Sequence, residues 1–261
     1  MGPPDGSGEQ SEVVYGLRAL REILRANTRP LLRIHVIRPD RQFSDLVQLA
    51  RTKHIPVHIV PPERLDRFVP GGHHQGIVGL VGAKAYADEE ELLDFAIHHP
   101  SPALLVVFDS IQDPQNLGAV LRTAEAAGVQ GVFIPERRSV GLTASVARAS
   151  AGAIEYVQVA RTRNTSRLIE KLQECGVRTY ALDPTASTPY TALDLREPVA
   201  LVFGAEGGGI RPGVKSKCDG RVSVPMMGQI ESLNLSVTVA IALFEAVRQR
   251  GENRGSGKEI I

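Results

Sequence analysis

Three short segments, remote from one another in the chain, hold the residues best suited to chemistry. They are Asn116-Leu117-Gly118-Ala119-Val120-Leu121-Arg122, Gly204-Ala205-Glu206-Gly207-Gly208-Gly209 and Pro225-Met226-Met227-Gly228-Gln229-Ile230-Glu231-Ser232-Leu233-Asn234. Each sets isolated polar side chains among glycines and apolar residues, and glycine lets a backbone bend tightly or approach a ligand closely. That pattern suits loops shaped around a small molecule. The second segment follows the apolar run Val199–Phe203, and the carboxyl end of a strand is where ligands bind in open α/β sheets. Two common ligand motifs are absent: the spacing is not GxGxxG, and no Gly-Lys-Ser/Thr follows, so neither a dinucleotide fingerprint nor a P-loop is supported. Glu206 amid these glycines reads equally as a helix-terminus acid or as a polar group aimed at a ligand.

The first segment reads as the start of a helix, with Asn116 as its N-cap. Leu117, Val120, Leu121 and Ala124 form one apolar stripe, and Arg122 lies on the opposite side among Gly118, Ala119 and Ala126. Small residues around an arginine admit another backbone or a ligand. The third segment joins a strand at 222–224 to the last helix, which Ser232 is expected to cap, with Leu233 onward helical. That helix is apolar on two sides, Leu233, Val237, Ile241 and Phe244 on one and Leu235, Val239, Ala242 and Leu243 on the other. A helix with two apolar faces buries both. One can cover a sheet; the other needs a partner, most simply a second copy of the chain.

The remaining elements must position these loops. From Ala103 the pattern alternates strand and helix: 104–108, a helix from Leu117, 132–135, a helix near 144–151, 157–160, a helix from Ser166, 179–182, 199–203, 222–224 and a long final helix. Such alternation specifies an α/β fold with a mainly parallel sheet covered on both faces. Ahead of it, residues 13–82 read as a small α/β unit with helices at 17–24 and near 46–50 and strands at 34–37, 57–60 and 77–81. Residues 83–102 read as a linker carrying an acidic patch and a short helix. Residues 1–12 and 251–261 lack apolar periodicity and read as flexible tails, which leaves 103–250 as the second domain.

The net charge of +1 conceals an asymmetry: residues 13–82 hold eleven Lys and Arg against five Asp and Glu, and ten of the eleven are Arg. A small module this basic has the electrostatic footprint of a polyanion binder, and Arg suits phosphate geometry. An aromatic content of 5%, without tryptophan, argues against base stacking as the main RNA grip. No apolar run approaches the ~20 residues of a membrane helix. Two cysteines, Cys175 and Cys218, without a CxxC spacing, point to a reducing, cytoplasmic setting and away from structural zinc. His73-His74 and His98-His99 have no third ligand spaced for a metal, and Asp109 and Asp113 read as capping or loop residues.

Taken together, the three segments resemble the signature segments of the SpoU/TrmH family, RNA ribose 2'-O-methyltransferases that use S-adenosylmethionine. The resemblance covers about 150 residues of the second domain and, more weakly, the first. It is similar to the branch in which a ribosomal-protein-like substrate-binding domain precedes the catalytic one, and His74-Gln75-Gly76 is typical of that branch. The resemblance implies a deep trefoil knot near the second and third segments, which pattern reasoning would not propose, and an obligate dimer through the C-terminal helix. It implies cofactor contacts at Gly204, Val224 and Leu233, with Met226 and Gly228 nearby. It implies an active site of Asn116, Arg122, Glu206, Ser232 and Asn234, and no metal.

The reaction so implied is an in-line attack of a ribose 2'-oxygen on a sulfonium methyl, which requires alignment and removal of a proton. Arginine is a poor general base because its pKa lies above ~12. Arg122 is therefore expected to clamp the neighbouring phosphate and stabilise the developing alkoxide, with Ser232, Asn234 and Asn116 orienting the ribose and Glu206 positioning them or relaying the proton. The expected substrate is a guanosine 2'-OH of 23S ribosomal RNA, chosen by the N-terminal domain. The alternatives are a transfer-RNA methyltransferase and a non-catalytic RNA-binding or ribosome-assembly factor. A retired enzyme should have lost Arg122 or Asn234, and both are present.

Overall fold

A computed structural model describes residues 11–38 and 41–252. The expected tails fall largely outside this span, except that Ser11 and Glu12 open the first strand and Gly251 and Glu252 close the last helix. The chain divides into two compact units.

Unit 1 comprises the residues up to Ala85 together with Gly141–Tyr156. Its order is β1 (Ser11–Tyr15), α1 (Leu17–Ala26), β2 (Leu31–Val36), α2 (Ser44–Thr52), β3 (Val57–Ile59), α3 (Pro62–Phe68) and β4 (Ile77–Gly82). The sheet runs β1-β4-β2-β3, with β4 antiparallel to both neighbours and β3 parallel to β2 at the edge. Helix α1 forms because Leu20, Ile23 and Leu24 share its buried face, and Asn27 ends it in the left-handed conformation. That face lies so close to the sheet that a Cβ on Gly79 would come 2.4 Å from a Leu20 methyl. Strand β1 and helix α3 are additions to the elements read from sequence. β1 has only Val13 and Val14 as an apolar signal, and α3 begins with Pro61-Pro62, which fits a first turn.

The helix expected near 144–151 forms as α6 (Ala144–Ala149), but it belongs to unit 1 rather than to the parallel sheet. Behind it a 3-10 turn, Ala153–Glu155, buries Glu155. The Glu155 carboxylate accepts from Arg29 Nη2 (2.8 Å) and Nε (3.1 Å) and from Thr28 Oγ1 (2.8 Å). An ion pair between residues so far apart in sequence leaves no periodic trace.

Unit 2 holds Tyr86–Val140 and Val157–Ile261. Its six strands are β5 (Leu104–Phe108), β6 (Gly131–Pro135), β7 (Val159–Thr162), β8 (Arg178–Leu182), β9 (Val199–Phe203) and β10 (Gly220–Val222). All neighbours are parallel, in the order β10-β8-β9-β5-β6-β7. Strands buried on both faces read as continuous apolar runs, and every residue of β5, β6 and β9 is buried. One face is covered by α4 (Glu89–Ile97), α7 (Thr165–Glu174) and the short α8 (Pro212–Lys215), through Leu92, Leu93, Leu168, Ile169, Leu172 and Val214. Helices α5 (Pro114–Ala126) and α9 (Leu235–Glu252) pack on each other, and α9 reaches β9. Within the stretch read as a linker, α4 thus supplies core: an N-cap, Asp88, precedes Leu92, Leu93 and Ala96, which are buried. Among the described residues no helix is long and apolar enough to cross a membrane.

Candidate active site

The sheet order places β9 beside β5, where the strand progression reverses, and ligands bind outside the carboxyl ends of strands at such a point. A cavity of about 330 Å³ opens next to this point, at the carboxyl ends of β8, β9 and β10. It is built from the ends of three strands: Leu182 and Asp183 after β8, Phe203 to Gly207 after β9, and Val222 and Val224 at β10. The third segment closes it with Met226, Glu231, Ser232 and Leu233.

Gly204 is fixed by a close approach. The loop after β9 folds back on itself through Ala205 N to Gly209 O (3.1 Å) and Gly209 N to Ala205 O (2.9 Å). A Cβ on Gly204 would sit 2.0 Å from the Gly209 carbonyl carbon. The loop is then anchored to the end of β5, where buried Asp109 accepts from the Arg211 backbone N (2.9 Å) and from its guanidinium Nε (2.9 Å). This clamp, and the loop Asp183-Pro184, are parts that the sequence reading did not assign to the site. Asp183 offered a signal, as the first residue past a parallel strand. Burial pushes its pKa up, but hydrogen bonds from Lys215 and Thr185 outweigh that and hold the carboxyl below its ordinary range.

Asn116, Glu206 and Asn234 converge. The Asn234 amide Nδ2 donates to Glu206 Oε1 (2.7 Å) and to Asn116 Oδ1 (3.0 Å). Its Oδ1 accepts from Ser236 N (2.9 Å) and Ser236 Oγ (2.6 Å). Asn234 therefore caps α9, which begins at Leu235. The expectation that Ser232 caps this helix is corrected: Ser232 lies in the exposed loop on the cavity wall. The N-cap role given to Asn116 is corrected likewise. Asp113 caps α5, accepting from Gln115 N (3.2 Å) and Asn116 N (3.1 Å), because Pro114 already occupies the first helical position. Asn116 is thereby carried one turn inward, buried, with its side chain on Asn234.

The remaining expected residues divide. Gly204, Val224, Met226 and Leu233 line the cavity, whereas Gly228 is exposed and does not. Arg122 is exposed on α5 and makes no hydrogen bond or ion pair among the described residues; the structure does not bring it onto Glu206 or Asn234. Of the paired histidines, His74 Nε2 lies 3.1 Å from Asp66, and among the described residues no three His, Cys, Asp or Glu gather around a metal position.

With this geometry in place the comparisons are decisive. The profile of the SpoU rRNA Methylase family matches residues 103–244, and that of the RNA 2'-O ribose methyltransferase substrate-binding domain matches residues 13–87. The chain belongs to the SpoU rRNA methylase family. It is, with its family, an RNA 2'-O-ribose methyltransferase. A Bacillus subtilis protein named for the TrmH family of tRNA/rRNA methyltransferases is 37% identical over 93% of this chain and 97% of its own. An AdoMet-bound rRNA methyltransferase from Sinorhizobium meliloti superposes with a TM-score of 0.76 at 25% identity, over 92% of this chain and 87% of that one. A tRNA-modifying TrmH/SpoU enzyme of A. aeolicus matches with a TM-score of 0.55 at 25% identity, over 64% of this chain and 84% of its own.

Proposed function

We propose that this enzyme methylates a guanosine ribose 2'-OH of 23S ribosomal RNA, with S-adenosylmethionine as donor and unit 1 as the RNA-selecting domain. The observation that carries the ribosomal reading is the extent of the match. The tRNA-modifying neighbour covers 64% of the chain, whereas the rRNA methyltransferase covers 92%. A separate globular module is what choosing one site in a long RNA needs, and its excess of arginine suits phosphate contacts.

The cavity fits the donor. Leu182, Phe203, Val222, Val224 and Leu233 give apolar walls for an adenosine, and the Gly204 crossing leaves main-chain groups facing the cavity without a side chain in the way. Glu206 and Glu231 set carboxylates around it, suited to a cationic ligand, while Asp183 on the same wall is already paired with Lys215 (2.7 Å). When bound, the sulfonium supplies an electrophilic methyl and a neutral leaving sulfur. The ribose 2'-oxygen forms the new O–C bond as the S–C bond breaks, and its proton must leave.

Both Asn234 amide hydrogens are engaged, on Glu206 and Asn116, so Asn234 acts as a positioning residue rather than a ribose contact. That leaves Glu206 Oε2 as an acceptor for the ribose hydroxyl proton, Asn116 Nδ2 as a donor and Ser232 Oγ as a third contact. Arg122, without a partner among the described residues, takes the phosphate next to the reacting ribose and offsets the charge growing on the 2'-oxygen. Helix α9 completes the assembly. Its inner residues Val239, Ala242, Leu243 and Ala246 are buried, while Val237 (44% exposed) and Phe244 (49% exposed) remain for the matching helix of a second subunit. A cytoplasmic homodimer that carries the family's trefoil knot is the resulting reading.

The test is transfer of labelled methyl from S-adenosylmethionine to total RNA, with mapping of the modified nucleotide beside Arg122→Ala and Glu206→Gln controls. A 2'-O-methylguanosine in 23S RNA, lost in both controls, is the expected result. Label on a base, on transfer RNA alone or on protein overturns it.

A further inference from the structure

Among the described residues, a buried histidine in unit 1 has no hydrogen-bond partner for either ring nitrogen. His35, on β2, is 4% exposed, and neither Nδ1 nor Nε2 makes a hydrogen bond. A buried polar ring left unpaired is unfavourable, and an apolar side chain would fill the space without that cost. What the ring does is stack. It lies nearly parallel to Phe68, with centroids 4.9 Å apart at 26°, and to His58, 5.4 Å apart at 27°. Phe68 and His58 do not stack on each other, so His35 is the middle layer of three.

The sheet register produces this. His35 pairs with His58 across parallel β2 and β3, so the two side chains leave the same face of the sheet. Helix α3 covers part of that face with Leu65 and Phe68 beside Val78. It stops short of the edge strand, where His58 is exposed and its neighbour Ile59 is 66% exposed. Arg33 lies two residues before His35 on the same side of β2, and Arg64 lies on α3. Burial is the main reason the His35 pKa falls to about 4, and the charges of His58, Arg64 and Arg33 lower it further. These arginines therefore stand close to the stack, and neither makes an ion pair among the described residues.

We infer that the exposed face of His58, backed by His35 and Phe68, is a stacking platform for a nucleobase of single-stranded RNA, with Arg33 and Arg64 taking the adjoining phosphates. Single-stranded RNA is the occupant that fits both halves of the surface. A flat aromatic face accepts any base, and a basic rim tracks the backbone. A duplex hides its base faces, and a basic protein partner would be repelled by a domain carrying eleven Lys and Arg against five acids. The low aromatic content seen in the sequence is circumvented because two of the three layers are imidazoles.

The inference rests on unit 1 being the RNA-binding part of the enzyme. It is tested with the full-length protein, a fluorescein-labelled oligouridylate read by anisotropy over a salt series, and the RNA KM in methyl transfer. Removing one stacked base weakens binding by about fivefold or more. His58→Ala and His58→Leu should show that loss with an unchanged salt slope, while His58→Tyr holds wild-type affinity. Arg64→Ala should reduce the salt slope by about 0.7. The RNA KM rises in the Ala and Leu variants while kcat at saturating RNA stays at the wild-type value. Should His58→Ala fail to fold, the Tyr and Leu pair carries the same comparison. Binding by His58→Leu within about twofold of wild type overturns the platform, as does an equal loss in His58→Tyr. If the wild-type enzyme methylates RNA and these variants match it, only the platform fails; if it methylates none, the functional reading fails while the oligouridylate result still decides the platform.

Discussion

Replacing Gly204 by alanine isolates the geometric requirement of the site. The φ of Gly204 lies outside the left-handed region, so alanine brings no backbone strain of its own. The clash alone decides the outcome. The new Cβ would meet the Gly209 carbonyl carbon at 2.0 Å, its oxygen at 2.1 Å and Ile210 N at 2.3 Å. Ordinary contact begins at 3.4 Å, so the Gly209 backbone must retreat by about 1.4 Å. No flexible side chain can absorb this, and the segment is held on both sides, by the Ala205–Gly209 hydrogen bonds and by the Asp109–Arg211 clamp. The displacement passes to Glu206, whose Oε1 holds Asn234. A misplacement of about 1 Å costs roughly 10²-fold in rate, or about 2.7 kcal/mol of transition-state stabilisation. Gly208→Ala is the internal control, because there the added methyl meets nothing nearer than Ala205 Cβ at 3.8 Å. Calorimetric titration with S-adenosylmethionine and steady-state methyl transfer should show Gly208→Ala near wild type and Gly204→Ala weakened about a hundredfold in kcat/KM. A Gly204→Ala enzyme within about threefold of wild type on both measures would refute the crossing as the organiser of the site.

Three further outcomes follow from the same structure. Glu155→Ala leaves Arg29, whose side chain is 2% exposed, with only Glu12 at 3.6 Å and the Gly82 carbonyl as partners among the described residues, and should cost up to ~3–5 kcal/mol in urea unfolding; a loss under about 1 kcal/mol contradicts the buried pair. His35 stays neutral in the fold, with its pKa lowered from 6.5 to about 4, so the unfolded chain binds the extra proton first. Stability should therefore fall as pH drops from about 6.5 to about 4, by up to roughly 3 kcal/mol, and His35→Phe should flatten that slope; an identical acid profile for both proteins counts against it. Burial, aided by Asp219 and Asp109, pushes the Cys218 thiol up to about 12, while Cys175 is exposed. A thiol reagent at pH 8 should label one cysteine promptly and the second only on unfolding, and two prompt equivalents would show Cys218 to be accessible.

The α/β class and the three site segments were legible in the sequence because they rest on local rules. A buried parallel strand announces itself as an apolar run, and Val199–Phe203 followed at once by Gly204 marks a strand end open to a ligand. The caps were not legible: residue type points to Asn116 and Ser232, and the capping residues are their neighbours Asp113 and Asn234. Asp113 and Asn116 can both accept from a helix N-terminus, as can Ser232 and Asn234, and Pro114 at the first helical position settles the earlier pair. The contacts made by Asn234 settle the later one. What pattern could not reach is every pairing between distant residues: Glu155 with Arg29, Asp109 with Arg211, and His35 with His58 and Phe68. Periodicity reports which way a side chain faces relative to its own element. Which foreign atom it then meets depends on how strands are ordered and registered, and the sheet settles that only after it has formed.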